Sequence, residues 1–266
     1  MNLWNAAHIP VRAWRFRFKG EPECVAHLLQ QDLRGKTCLD IGAHKGAFTY
    51  WLCRQVGTTG RVIGFEPQPE LHAYLERCWR HFRHESLRFE PLALSAQPGT
   101  MTLVRAFEGA GSAGLHSHAA PTAQCLPVSV TTVDDYVRAK ELERISFIKC
   151  DVEGHEESVF RGAEQTLLRD QPQLLFEGHD HVVRDGALFH YLESLGYVGF
   201  FFAFRCLHAL EHRPELIGLD NPLMTNYVFV PRHQAGRVPV ATAAQRQAML
   251  RSAPPRCPQH PKHAAA

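Results

Sequence analysis

One turn constrains the fold more than any other feature of the chain. Thr37–Ile41 is a strand-sized apolar run that passes straight into Gly42-Ala43-His44-Lys45-Gly46. Phe48, Trp51, Leu52 and Val56 then take up a three-to-four-residue spacing, the period of an amphipathic helix. A strand that feeds a helix through two glycines is the start of a β-α-β unit. Gly57 and Gly60 stop that helix, and Arg61–Phe65 is a second short strand ending at Glu66-Pro67. Pro69 opens a helix with Leu71, Tyr74, Leu75, Cys78 and Trp79 on one face, and Leu87–Leu94 reads as a third strand. Strands and helices in this order predict a parallel sheet with right-handed crossovers, an α/β doubly wound fold.

The remaining pattern extends that sheet. Met101–Ala106 is an extra strand, residues 109–123 are a mobile loop, and Val128–Val133 is extended. Thr132–Lys140 is a short helix with Thr132 as its cap, and Ile145–Cys150 is a buried strand. One helix runs through Val159, Ala163 and Leu167, Gln173–Phe176 is a strand, and Leu188–Leu195 is helical. Tyr197–Phe204 and Asn226–Val230 form an antiparallel hairpin at the sheet edge. Three segments follow: an N-terminal extension over 1–34, a domain over 35–230, and a basic tail over 231–266 that reads as largely disordered.

Charge and cysteine content exclude some functions. The tail holds six Arg or Lys residues and no acid, so residues 1–230 carry −4 against +2 for the whole chain. That gives no electrostatic footprint for nucleic acid, and none is expected as a partner. The eight cysteines are scattered without a C-x-x-C pair, as expected of reduced thiols. No run approaches the roughly 18 apolar residues of a membrane span, and no signal-peptide pattern opens the chain. A cytoplasmic location is the expectation. The Trp-rich, basic first twenty residues are read as a packed extension, with contact to a membrane surface or cover over a substrate as alternatives.

Asp40-Ile41-Gly42-Ala43-His44-Lys45-Gly46 has the form D-x-G-x-x-x-G at a strand-to-helix turn. The glycines allow a sharp turn and close approach to a ligand, and the helix start offers free N–H groups. A nicotinamide site prefers a further glycine where His44 stands, and Asp40 would repel a pyrophosphate. An acid there suits a cofactor bearing an amino group and a sulfonium, as S-adenosylmethionine does. Glu66, followed by Pro67 at the end of the second strand, is placed to accept hydrogen bonds from ribose hydroxyls. Ala93, at the end of the third strand, is expected to wall the adenine. The predicted cofactor-binding set is Asp40, Gly42, His44, Gly46, Glu66, Pro67, Ala93 and Asp151.

These blocks, with Val130-Thr131-Thr132-Val133-Asp134, Ile148-Lys149-Cys150-Asp151-Val152-Glu153-Gly154-His155-Glu156, Gly162-Ala163 and Pro172 through Glu177, resemble the FkbM-type methyltransferases over roughly residues 35–230. The resemblance implies a class I, Rossmann-like methyltransferase fold and S-adenosylmethionine as cofactor. It also implies O-methylation of a hydroxyl on a sugar or small natural product. His44 replaces a more usual Asn, and Cys150 a branched apolar residue. N- or carboxyl-methylation, and a non-catalytic module on the same fold, are the alternatives. Oligomeric state is not legible.

Methyl transfer needs alignment of nucleophile, methyl and sulfur, and removal of a proton when a hydroxyl attacks. Asp151 is expected to face the methyl end of the cofactor. His155 is a candidate general base, and Glu177 completes the predicted catalytic set. Asp151 and Glu177 with His179 are alternatively a divalent-metal site that lowers the hydroxyl pKa. Glu153 and Glu156 read as first-turn acids that favour the helix dipole. Ser112, Gly114, His116 and His118 lie on a loop able to close over a small-molecule or glycan acceptor.

Overall fold

The computed structural model describes residues 3–80, 87–115, 122–179, 186–216 and 224–252. The apolar runs of the sequence become an eight-stranded sheet. Its strands are β1 (Thr37–Ile41), β2 (Arg61–Phe65), β3 (Leu87–Glu90), β7 (Ile145–Cys150), β8 (Gln173–His179), β9 (Tyr197–Ala203), β10 (Cys206–Ala209) and β11 (Met224–Pro231). Their order is β10-β9-β11-β8-β7-β1-β2-β3. The run from β3 through β1 to β8 is parallel, and β11 is antiparallel to both β8 and β9. Strand order reverses between β1 and β7, the switch point where ligands of such sheets bind.

Both faces of the sheet are covered, which is why its central strands are apolar on successive residues. Leu39 and Ile41 face one core with Ile148, Phe160 and Phe176. Cys38 faces the other, with Trp51, Leu52, Val62 and Phe147. The second core is closed by α1 (Leu3–Arg15), α2 (Pro22–Leu28), α3 (Ala47–Val56) and α4 (Pro69–Trp79). The first is closed by α5 (Val133–Ala139), α6 (Glu156–Arg161), α7 (Glu164–Asp170) and α8 (Ala187–Ser194). α1 belongs to the domain it precedes: Ile9 and Ala13 are fully buried, and Trp51 Nε1 donates to the Ala13 carbonyl at 3.0 Å.

Several expectations need correction. The third strand stops at Glu90, because Pro91 has no N–H to donate to a ladder. β4 (Ala93–Leu94) instead joins a second sheet, β4-β6-β5, with β5 (Gly99–Arg105) and β6 (Gln124–Thr131). The single helix expected through Val159 and Leu167 is two, broken at Gly162. A Cβ there would sit 2.1 Å from the Ser95 carbonyl oxygen. β9 and β11 are an antiparallel pair, but β11 lies inside the sheet and β10 forms the edge. β10 is reached by a two-residue turn in which Phe204 and Arg205 both have positive φ. Such turns usually carry Asn or Gly, so these residues gave no signal.

The described part of the tail, residues 231–252, carries regular structure. A 3₁₀ segment, Arg232–Arg237, follows β11, and after α9 (Arg213–Leu216) the last helix is α10 (Ala243–Ser252). Buried Ala241 donates its N–H to the Leu207 carbonyl. Thr242 and Gln245 cap α10 reciprocally, Gln245 Oε1 accepting from Thr242 N at 2.8 Å and Thr242 Oγ1 from Gln245 N at 3.3 Å. Residues 253–266 lie outside the described ones.

Candidate active site

The turn after β1 is shaped by the strands beside it. Gly42 has φ +84, and a Cβ on it would lie 1.9 Å from the backbone oxygen of Asp151. Asp151 N in turn donates to the Ile41 carbonyl at 2.9 Å, so the ends of β1 and β7 touch backbone to backbone. Gly42 N and Ala43 N both donate to the Phe65 carbonyl. Gly46, at φ 75, caps α3.

Glu66 closes this corner. Its Oε2 accepts from His44 N and its Oε1 from Gln68 N, both at 2.9 Å. The side chain is buried. Burial pushes the carboxyl up to about 7, and the N–H groups of Gln68 and His44 oppose the shift. Each oxygen keeps a lone pair for a further donor. A cleft opens here, walled by Gly42, His44, Phe65, Glu66 and Pro67 on the main-sheet side, by Asp151 and Val152 beyond β7, and by Ala93 of β4. Leu103, Gly111, Ala113, Gly114 and Leu115 roof it from the second sheet and its loop. The described start of that loop, read from sequence as mobile, is anchored at Gly109. Lys45 Nζ donates to the Gly109 carbonyl, Gly109 N donates to Glu70, and Glu70 is ion-paired with buried Arg105. His116 and His118 lie outside the described residues.

Behind Asp151 lies a charged cluster. Lys149 is 2% exposed, with Nζ 3.3 Å from Asp151 Oδ2 and 3.8 Å from Glu21 Oε2. Ligand atoms of Asp151, Glu153 and Glu177 all lie within 4.8 Å of one another. Burial, and then the charge of Asp151, pushes Glu177 up to about 9. A fourth acid, Glu21, is raised by burial as well. Lys149 is the buried cation that this group of carboxylates surrounds, and its own pKa is held well above normal by Asp151 and Glu21 against the cost of burial.

The sequence matches the family described as Methyltransferase FkbM domain over residues 40–198, more than half of the chain. The chain belongs to the FkbM methyltransferase family. Its fold is the class I, Rossmann-like methyltransferase fold. It is similar to the hexuronic acid methyltransferase AglP of Haloferax volcanii, at 26% identity over 157 residues, 58% of this chain and 61% of that relative. The chain thus spans about three fifths of that relative's length. In structure it is similar to the FkbM methyltransferase of Methylobacillus flagellatus KT, with a TM-score of 0.51 and 16% identity, covering 86% of this chain and 56% of that one. No helix among the described residues is long and apolar enough to cross a membrane.

In this FkbM methyltransferase, Gly42, His44, Glu66, Pro67, Ala93 and Asp151 line the cleft as the sequence predicts. Asp40, Gly46, His155 and Glu177 are not among the lining residues. Asp40 is buried and accepts a hydrogen bond from Thr49 Oγ1 in the first turn of α3. Burial raises it to about 6. The bond from Thr49 ties the end of β1 to α3 through one carboxylate oxygen of Asp40. His155 Nε2 is 2.8 Å from Ser95 Oγ, at the wall formed by the end of β4. Glu156 is a first-turn acid of α6, as expected, whereas Glu153 lies in the loop before that helix. Glu156 is buried, and its Oε1 accepts from Val152 N and Gly154 N, which holds the loop where Glu153 has φ 58 and Gly154 has φ 96. The side chain of His179 lies outside the described residues.

Sequence reasoning missed Glu21, Thr49, Gln68 and Leu103. Gln68 is the second residue after Glu66, and its N–H could have been inferred from the Glu-Pro turn. Glu21 carried no local signal, because only the docking of α2 brings it to Lys149.

Proposed function

We propose that the protein methylates a hydroxyl of a sugar, of the hexuronic acid class or a similarly hydroxylated small molecule. The carrying observation is the position of Asp151, which lines the cleft on one side and meets the Lys149–Glu177 cluster on the other. The printed activity of the relative AglP supports the acceptor class. When bound, S-adenosylmethionine supplies a methyl group on a positively charged sulfur, which an oxygen displaces in line.

The residues divide that work. Glu66 accepts the ribose hydroxyls on its remaining lone pairs, and Gly42 lets the backbone approach the amino-acid end. Phe65, Leu92 and Ala93 flank the adenine. Asp151 accepts a hydrogen bond from the acceptor hydroxyl and takes its proton as the oxygen attacks. Lys149 Nζ, 3.3 Å from Asp151 Oδ2, holds that carboxylate in place for the purpose. Ser95 and His155 brace the adenine wall, so His155 acts in positioning rather than as the base. A divalent cation on Asp151, Glu153 and Glu177 is the second reading, favoured by the convergence of those carboxylates. Methyl transfer from labelled S-adenosylmethionine to glucuronic, galacturonic and neutral sugars, with and without a chelator, tests both. The expected product is an O-methyl sugar formed equally in either condition. Transfer to amines but not hydroxyls contradicts the first reading, and loss on chelation favours the second.

A further inference from the structure

α1 is apolar on two faces, and only one of them is covered. Ile9 and Ala13, one turn apart, are buried against the domain. Val11, Trp14 and Phe18 follow at the next spacing round the helix and its π turn, Phe16–Gly20, and are 68%, 47% and 60% exposed. Seven large apolar side chains are exposed among the described residues, and three of them fall within these eight positions. A contiguous exposed apolar face of this kind marks an interaction surface.

The charge on that face selects the partner. Residues 1–20 hold Arg12, Arg15, Arg17 and Lys19 and no acid. Residues 21–230 carry −8, from a body of −4 that includes those four cations. The Arg17 guanidinium lies over the rings of Trp14, Phe18 and Trp51 at 5.1–5.6 Å, so cation and aromatic surface are interleaved. Tryptophan, phenylalanine and arginine on one shallow face are the composition of a helix lying in a membrane interface. A second copy of this chain would bring the same four cations against one another, which opposes a two-fold interface here.

We propose that α1 and the turn after it dock the enzyme on an anionic lipid bilayer, with Val11, Trp14 and Phe18 in the headgroup region and the flanking cations on acidic lipids. The rest of the domain, net negative, faces away from that surface. Docking in this way does not depend on which acceptor the cleft takes.

The full-length protein is sedimented with vesicles of phosphatidylcholine alone and of phosphatidylcholine mixed with phosphatidylglycerol. Binding is expected to the mixed vesicles and to weaken as salt is added. The pair Arg15→Gln and Lys19→Gln should lower affinity roughly twentyfold, at about fivefold for each cation near an acidic surface. The pair Val11→Ser and Phe18→Ser should lower it at low salt too, and both pairs should leave the melting temperature unchanged. Trp14 is kept because it packs on Trp51. The proposal is overturned by absence of binding to the mixed vesicles, by binding that both variant pairs leave intact, or by concentration-dependent dimers that bury this face. Capture of single-stranded RNA by the same residues without vesicle binding also overturns it.

Discussion

Replacing Lys149 by methionine tests the electrostatic arrangement behind the cleft. The methionine stem fills most of the space of the lysine stem, so the change removes a charge more than a volume. The ammonium is 2% exposed and sits 3.3 Å from Asp151 and 3.8 Å from Glu21. Removing one partner of a buried ion pair costs about 3–5 kcal/mol. Asp151 and Glu21 keep 27% and 16% of their side-chain surface, so partial solvation and proton uptake place the loss near the lower end, at about 3 kcal/mol at pH 8. The pH dependence has a definite sign. Without the cation, whose charge lowers them, the raised folded-state pKa values of Glu21 and Glu177 rise further, and the native state then holds more protons than the unfolded one. Stability of the variant therefore falls as pH rises, and its deficit at pH 5 should be about half that at pH 8. Urea unfolding followed by tryptophan fluorescence at the two pH values measures this. A deficit under about 1 kcal/mol, equal at both pH values, would refute the role of Lys149 as counter-ion to the cluster.

Other expectations follow from the same geometry. Gly42→Ala should cost more than about 3 kcal/mol, since a positive φ adds roughly 1 kcal/mol and the Cβ would also overlap the backbone of Asp151. Gly57→Ala, at φ 68 and ψ −162 but with nothing within 4 Å, should cost about 1–3 kcal/mol from backbone strain alone, and a larger melting shift for it than for Gly42→Ala would contradict the reading. Glu66 is raised to about 7 in the fold, so the native state binds more protons than the unfolded one between about 4.5 and 7 and stability declines as pH rises through that window. Glu156, also raised to about 7, adds to that slope, while His27, lowered to about 4, opposes it below about 6.5. Glu66→Gln should flatten the melting curve between those limits, and an unchanged slope would contradict the assignment. Asp151→Asn should lower turnover at least about a hundredfold while leaving cofactor affinity within about tenfold. Parallel loss of both would make Asp151 a binding residue instead.

The parts of the fold that were legible were those written in local chemistry. β1, β2 and β7 matched their predicted ranges because apolar runs bounded by glycines and acids leave little choice of register. Thr132 was readable as a cap, and its Oγ1 accepts from Asp135 N at 2.9 Å. What was not legible depended on tertiary approach. Gly162 looks like an ordinary helix residue until the Ser95 carbonyl is placed against it, and β10 hangs on a turn whose residues do not favour it. The reciprocal bonds of Thr242 and Gln245 follow a recognisable sequence spacing, yet the Ala- and Pro-rich composition of the tail masked it. In the site, the acid at the end of β2 and the glycine turn were found from sequence. The place of Asp40 at the end of β1 is visible in the sequence, whereas its bond to Thr49 is not. Lys149 and Glu21 meet only after two distant elements pack.

The central claim is that the corner formed by the β1 turn and the Glu66 carboxylate holds S-adenosylmethionine. Isothermal calorimetry of the cofactor against wild type and Glu66→Gln at pH 8, where the carboxylate is ionised, tests it most directly. Binding to wild type is expected, weakened about tenfold to a hundredfold by the substitution, as loss of hydrogen bonds to a charged acceptor predicts. Equal affinity for the two proteins, or no heat with either, would contradict it.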